Sequence, residues 1–154
     1  MKRFFLLIVL IAVFFIMPNS VNAQGRFIWI NSTETTTYSL DTQSIISQGS
    51  IIDCWIKSDY TQEGIDSNVN YWKKRGQNEF AEKTAQCTYE LTHWQYNTNK
   101  PYKLRVVGSV MYDKKGNVLY NDQTPSDWDA IVPDTIGESN FNKIYSYVLV
   151  NNIK

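Results

Sequence analysis

The strongest constraint on the fold is the stretch 85–121, which reads as two long β-strands followed by a tight hairpin to a third. In the first strand Ala85, Cys87, Tyr89 and Leu91 fall on one side and Gln86, Thr88, Glu90 and Thr92 on the other, which predicts one dry face and one wet face. The second strand, 104–112, sets Leu104, Val106, Gly108, Val110 and Tyr112 against Arg105, Val107, Ser109 and Met111. Both of its faces are partly apolar, as suits a central strand with cover on both sides. Asp113-Lys114-Lys115-Gly116 supplies a turn former and a glycine able to take positive φ, and residues 117–121 return as the partner strand.

The chain ahead of this stretch begins with an export signal over residues 1–23. Lys2 and Arg3 form its charged start, residues 4–17 an unbroken apolar run, and Val21-Asn22-Ala23 a small-residue cleavage site. The competing reading, an uncleaved anchor, has an apolar run shorter than the roughly 20 residues that span a bilayer. Cleavage predicts a mature chain from Gln24, with no membrane span and no cysteine at its start for a lipid anchor. Removing Lys2 and Arg3 from 15 basic residues leaves 13 against 15 acidic, a net charge of −2. That balance argues against a nucleic-acid or polybasic membrane-binding role. Residues 24–154 are expected to form a single domain around one core.

Shorter signals fill in the other elements. Residues 26–30 read as a first strand and 35–40, with Tyr38, as its hairpin return. Asp41 caps one expected helical turn over 41–45. Strand 51–58 puts Ile52, Cys54 and Ile56 on one face and Asp53, Trp55 and Lys57 on the other. Trp55 is thus an indole on the polar side, to be covered by a helix or loop or to serve as a stacking platform for a ligand. Ser67 is positioned to cap a short helix carrying Val69, Tyr71, Trp72 and Lys73 with Gly76 as its stop, flanked by loops at 62–64 and 76–78. Near the C-terminus Thr135 and Glu138 have capping-box spacing, and Phe141, Ile144 and Val148, with Tyr145 alongside, lie on one helical face directed at the sheet. Trp128 and Pro133 are read as fixing the approach to that helix. The pattern predicts an α+β fold: a curved antiparallel sheet of about six strands with a C-terminal helix packed on it.

Two cysteines in an exported chain most simply form one disulfide, Cys54 to Cys87, and two buried free thiols are the alternative. Such a bridge would contribute roughly 3–4 kcal/mol in the chain-entropy picture. The sole histidine, His93, lies six residues from Cys87 on the same predicted strand, about 20 Å away, too far to activate its thiol. Zinc spacing, calcium loops and phosphate-binding glycine loops are absent from the sequence, so no metal, cofactor or catalytic residue is expected. A pair of carboxylates acting on a glycan is the one catalytic scheme the composition permits. The aromatic side chains Trp55, Tyr71, Trp72 and Trp94 are the candidate ligand contacts.

The order of elements resembles the surface-adhesin E family of bacterial envelope proteins. The resemblance rests on Trp29, on Tyr38, Leu40, Asp41, Ser44 and Ile45, and on the tryptophan of Ile51-Ile-Asp-Cys-Trp-Ile56. It continues through Cys87, Tyr112, Gly116 and Val118 to the segment 128–138, where Trp128, Pro133, Asp134 and Glu138 mark the fold. Family members often pair the counterpart of Cys87 with a cysteine near the C-terminus, which residues 141–154 lack; the resemblance then implies a bridge re-routed to Cys54. It also implies an exported, non-catalytic binding module, periplasmic, on the cell surface or secreted. Its ligand would be a protein, either a host matrix or serum protein or an envelope partner, and self-association as a homodimer fits the same reading. A small glycan-acting enzyme and a structural or inhibitory subunit of an envelope complex are the alternatives.

Overall fold

The computed structural model describes residues 25–154, so the export signal expected over 1–23 lies outside the described residues. Eight strands and three helices follow one another: β1 (Phe27–Ser32), β2 (Thr36–Asp41), β3 (Ile46–Gln48), β4 (Ile51–Tyr60), α1 (Gln62–Lys74), α2 (Asn78–Gln86), β5 (Tyr89–Asn97), β6 (Lys103–Tyr112), β7 (Val118–Asp122), β8 (Asp129–Ala130) and α3 (Ile136–Val150). All pairings are antiparallel and the main order is β1-β2-β4-β5-β6-β7. β3 pairs with the start of β4, beyond the end of β2, and β8 with the start of β6. The sheet is therefore open and edged by β1 and β7, and its six positions match the expected antiparallel sheet of about six strands.

The three helices of the described residues lie over one face of this sheet. α3 begins at Thr135, whose hydroxyl accepts the Glu138 N–H at 3.2 Å, while Glu138 Oε2 accepts the Asp134 N–H at 3.0 Å. These contacts satisfy donors that a helix start leaves unpaired. Phe141, Ile144 and Val148 then descend onto Ile52, Cys54, Ile56, Leu40 and Tyr96 as the main core. A Phe or Ile side chain taken fully out of water contributes about 1.5–3 kcal/mol. At the other end of the same face Ile65, Cys87 and Met111 form a second core, with Tyr60, Val69, Phe80 and Tyr120 around it.

The region between β4 and β5 is more helical than the sequence implied. Thr61, rather than Ser67, caps α1, its hydroxyl accepting the Gly64 N–H at 3.2 Å. Gln62, Glu63 and Gly64 are the first turn of this helix instead of a loop. Gly64 is there for closeness: a Cβ on it would sit 2.6 Å from the carbonyl oxygen of Thr35. Ala85 and Gln86, expected at the start of a strand, close α2, and Cys87 is its C-cap. The 41–45 segment is a turn and not a helical one, with Asp41 accepting the N–H of Gln43 on its side chain and that of Ser44 on its carbonyl. The hairpin after β6 is as expected: Gly116 has φ +83° and donates its N–H to the Asp113 carbonyl at 3.0 Å.

Strand faces hold one reversal. Glu90, Thr92, Trp94 and Tyr96 share the helix-covered face with Ser58, Ile56, Cys54 and Ile52, whereas Tyr89 and Leu91 stand on the opposite face. The expected dry side of β5 is thus its open side. β6 changes parity partway, because a bulge opposite His93 and Trp94 lets Leu104 and Val106 share a face with Ser109 and Met111.

The Cys54–Cys87 disulfide is not formed; both thiols are free and buried. Cys54 lies opposite Trp94 in the β4–β5 register, and Cys87 is seven residues from Trp94, on the order of 20 Å along the chain. A bridge requires Cα atoms within about 7 Å. Each cysteine belongs to a different core cluster. Burial, then Asp53, raises the Cys54 thiol far above its ordinary value; burial, then Glu90, pushes Cys87 up to about 11.

Three measurements check this fold. Without reductant, a thiol reagent should find two reactive cysteines in the denatured protein and essentially none in the native protein; a disulfide would give none in either. Because both native thiols titrate above their unfolded values, stability should fall as pH climbs from about 8.5 towards the raised native values. Gly64→Ala should destabilise by about 1–3 kcal/mol through the clash with Thr35, despite alanine's better helix propensity, as read by denaturant unfolding.

Candidate functional site

The two-residue period of β4 that buries Ile52, Cys54 and Ile56 sends Asp53, Trp55 and Lys57 to the face no described helix covers. Neighbouring strands add His93 and Gln95 from β5 and Arg105 from β6. These side chains form one continuous row. Asp53 accepts from Gln95 Nε2 at 2.7 Å and is hydrogen-bonded through its other oxygen to His93 Nε2. Gln95 Oε1 in turn accepts from Arg105 Nε at 2.8 Å, and the Arg105 guanidinium lies 4.7 Å from the centre of the Trp128 ring. At the other end the Trp55 indole stacks on His93, with centroids 4.8 Å apart and planes 13° from parallel.

Asp53, His93, Gln95 and Arg105 each have a hydrogen-bond partner within the row, so the row is held in place before any ligand arrives. Ile46, Gln48, Ile51, Asp53, Gln95, Arg105 and Trp128 line a depression of about 470 Å³ along it. The cover expected for Trp55, a helix or loop, is instead the imidazole of the next strand. His93 itself is on a central strand, paired on both sides, and it stands on the face opposite Cys54.

The helix-covered face carries a groove between the two cores. A cavity of about 360 Å³ is lined by Tyr38, Ser58, Thr92, Trp94, Ser109 and Asn140 among others. A second, of about 390 Å³, shares Tyr60, Glu90 and Ser109 with it and runs to Trp72, Phe80 and Asp122. Burial, then the Glu90 carboxylate that accepts its hydroxyl at 2.8 Å, raises the Tyr60 phenol well above its ordinary value. Tyr60 stays a neutral donor at any physiological pH.

The structure therefore separates the four aromatic candidates. Trp55 is on the open face, and Trp94 and Trp72 line the groove. Tyr71 is on the outer side of α1, edge-on to Trp72 and under the Arg75 guanidinium at 4.3 Å. Trp128 lies on the open face over Arg105. Pro133 and Asp134 are exposed in the turn that leads into α3, Asp134 with φ 59°, and Glu138 closes the cap described above. Sequence reasoning missed Asp53, Gln95, Arg105, Glu90 and Asn140. The polar alternation of β4 signalled the first, and only the strand register brings in the rest.

Among the described residues no group of three His, Cys, Asp or Glu side chains is placed to hold a metal ion, and no helix is long and apolar enough to cross a membrane. Residues 27–144 match the family model described as Surface-adhesin protein E. That span contains the whole open-face row and the lining of both groove cavities. Among curated proteins none matches the chain significantly.

Arg105→Ala should uncover Trp128 and leave Gln95 with one hydrogen bond fewer. The expected result is a red-shifted tryptophan emission with a stability loss of about 0.5–1 kcal/mol, measured by fluorescence-monitored unfolding.

Proposed function

Because the chain belongs to the surface-adhesin protein E family, we propose that it is an exported, non-catalytic binding module whose open sheet face docks a host matrix or serum protein. The family match carries the adhesin reading. The choice of face rests on the row from Trp55 to Trp128. Protein interfaces draw most of their energy from a few Trp, Tyr and Arg side chains in a well-ordered setting. This row offers two tryptophans and an arginine, tied together by His93, Asp53 and Gln95. Because the row is already ordered, little side-chain entropy is lost on docking.

On this reading the protein is displayed outside the cell. Antibody against the folded domain should label intact cells as well as cells with a permeabilised envelope. Labelling confined to permeabilised cells would exclude host adhesion and leave an envelope partner as the ligand. Immobilised matrix and serum proteins should capture the purified chain, and Trp55→Ala with Arg105→Ala should weaken capture by about tenfold or more. Far-ultraviolet circular dichroism should be unchanged. Glycan turnover lost on Glu90→Gln would overturn the non-catalytic assignment.

A further inference from the structure

The groove beneath the helices has a chemical bias of its own. Asn140, on the first turns of α3, is only 7% exposed, and its Oδ1 has no hydrogen-bond partner. A buried amide oxygen left unpaired is unfavourable and calls for a donor. Asn140 lines the same cavity as Glu90. Glu90 uses Oε2 to accept the Tyr60 hydroxyl, and the residue lines both cavities. At the far end of the second cavity Asp122 accepts the Thr124 N–H and the Tyr120 hydroxyl. Hydrogen bonding from Thr124 holds this carboxyl below its ordinary value, so it is ionised at neutral pH.

The linings of the two cavities contain Glu90 and Asp122 and no Lys, Arg or His. Among the described residues, acceptors and negative charge therefore meet in these linings without a lining cation. The first cavity also presents the aromatic side chains of Tyr38, Tyr60 and Trp94, whose π-faces attract cations, and the aliphatic wall of Ile56 and Leu104. A ligand that complements all of this has a compact cation with several N–H donors on an apolar stem. A carboxylate ligand would be repelled, and a neutral alcohol would leave the Glu90 charge unmatched.

We infer that this groove is a binding site for a primary alkylammonium group, taken by Glu90 and Asn140 with its stem along Trp94 and Leu104. Two sources present that chemistry, the side chain of a lysine in a polypeptide and a free aliphatic amine. The site lies on the face opposite the proposed adhesive row, so each can fail without the other.

The test uses the folded chain and titrates n-pentylamine, n-pentanol and pentanoate by isothermal calorimetry and by amide chemical-shift mapping. Pentylamine should bind and shift the amides of Ser58, Thr92, Trp94 and Ser109, while pentanol and pentanoate should bind at least about tenfold more weakly. Glu90→Gln, which keeps an acceptor for Tyr60, and Asn140→Ala should each weaken pentylamine by about tenfold. Binding of Nα-acetyl-lysine methylamide as tight as that of pentylamine would identify a polypeptide lysine as the source; binding of pentylamine alone would identify a free amine. The inference is overturned if pentanol matches pentylamine, if Glu90→Gln binds amine unchanged, or if pentylamine shifts no groove amide. The comparison of amine with alcohol on the unmodified chain stands even if a variant fails to fold.

Discussion

Ile52, Cys54 and Ile56 are buried beneath Phe141 and Ile144, and because side chains alternate along a strand, that burial also decides where Asp53, Trp55 and Lys57 must stand. A slip of one residue in β4 would put three charged or aromatic groups under α3 and three apolar ones in water. The register of β4 against β5, nine consecutive pairs from Ile51–Asn97 to Asp59–Tyr89, resists any such slip. The open-face row thus exists because the core does. Neither surface can be rearranged without the other.

The same strand also explains the groove. After Ile56 the apolar sequence of the covered face gives way to Ser58, and the neighbouring positions are Glu90 and Thr92 on β5 and Ser109 on β6. No side chain in this band is large and apolar enough to draw a helix down onto it. α3 accordingly packs at one end of the face and the α1–α2 pair at the other, each over its own cluster. What lies between is a trough floored by hydroxyls and a carboxylate. Filling it with hydrophobic side chains would join the two cores, and the chain forgoes that stabilisation.

Much of this was legible in the sequence where a single period governed a whole element. The β4 alternation, the Asp113–Gly116 turn and the Thr135–Glu138 cap each follow from local chemistry, and each stands where that chemistry puts it. Local pattern misleads where distant parts of the chain intervene. Glu90 and Thr92 are polar because they line a groove, so they mimicked a solvent face and reversed the assignment of β5. The bulge beside Val107 changes the parity of β6 through a pairing that no local pattern encodes. Gly64 looked like a loop residue, yet its role is to let the first turn of α1 approach the carbonyl of Thr35. The two cysteines share an apolar environment in kind but not in place. Asn140 gives no sign of itself: only packing reveals that its amide oxygen is buried without a partner.

Strand β5 belongs to both surfaces. It directs Glu90, Thr92 and Trp94 into the groove and His93 and Gln95 into the open row, with the bulge falling between His93 and Trp94. It is also paired along its full length on both sides, so both of its hydrogen-bond ladders are occupied. Coupling between sites requires an element with two arrangements that each ligand biases differently. A strand locked by two ladders does not supply one. Occupancy of the groove and docking on the open face should therefore act as independent events whose free energies add, so a partner that engages both gains by avidity and not by allostery.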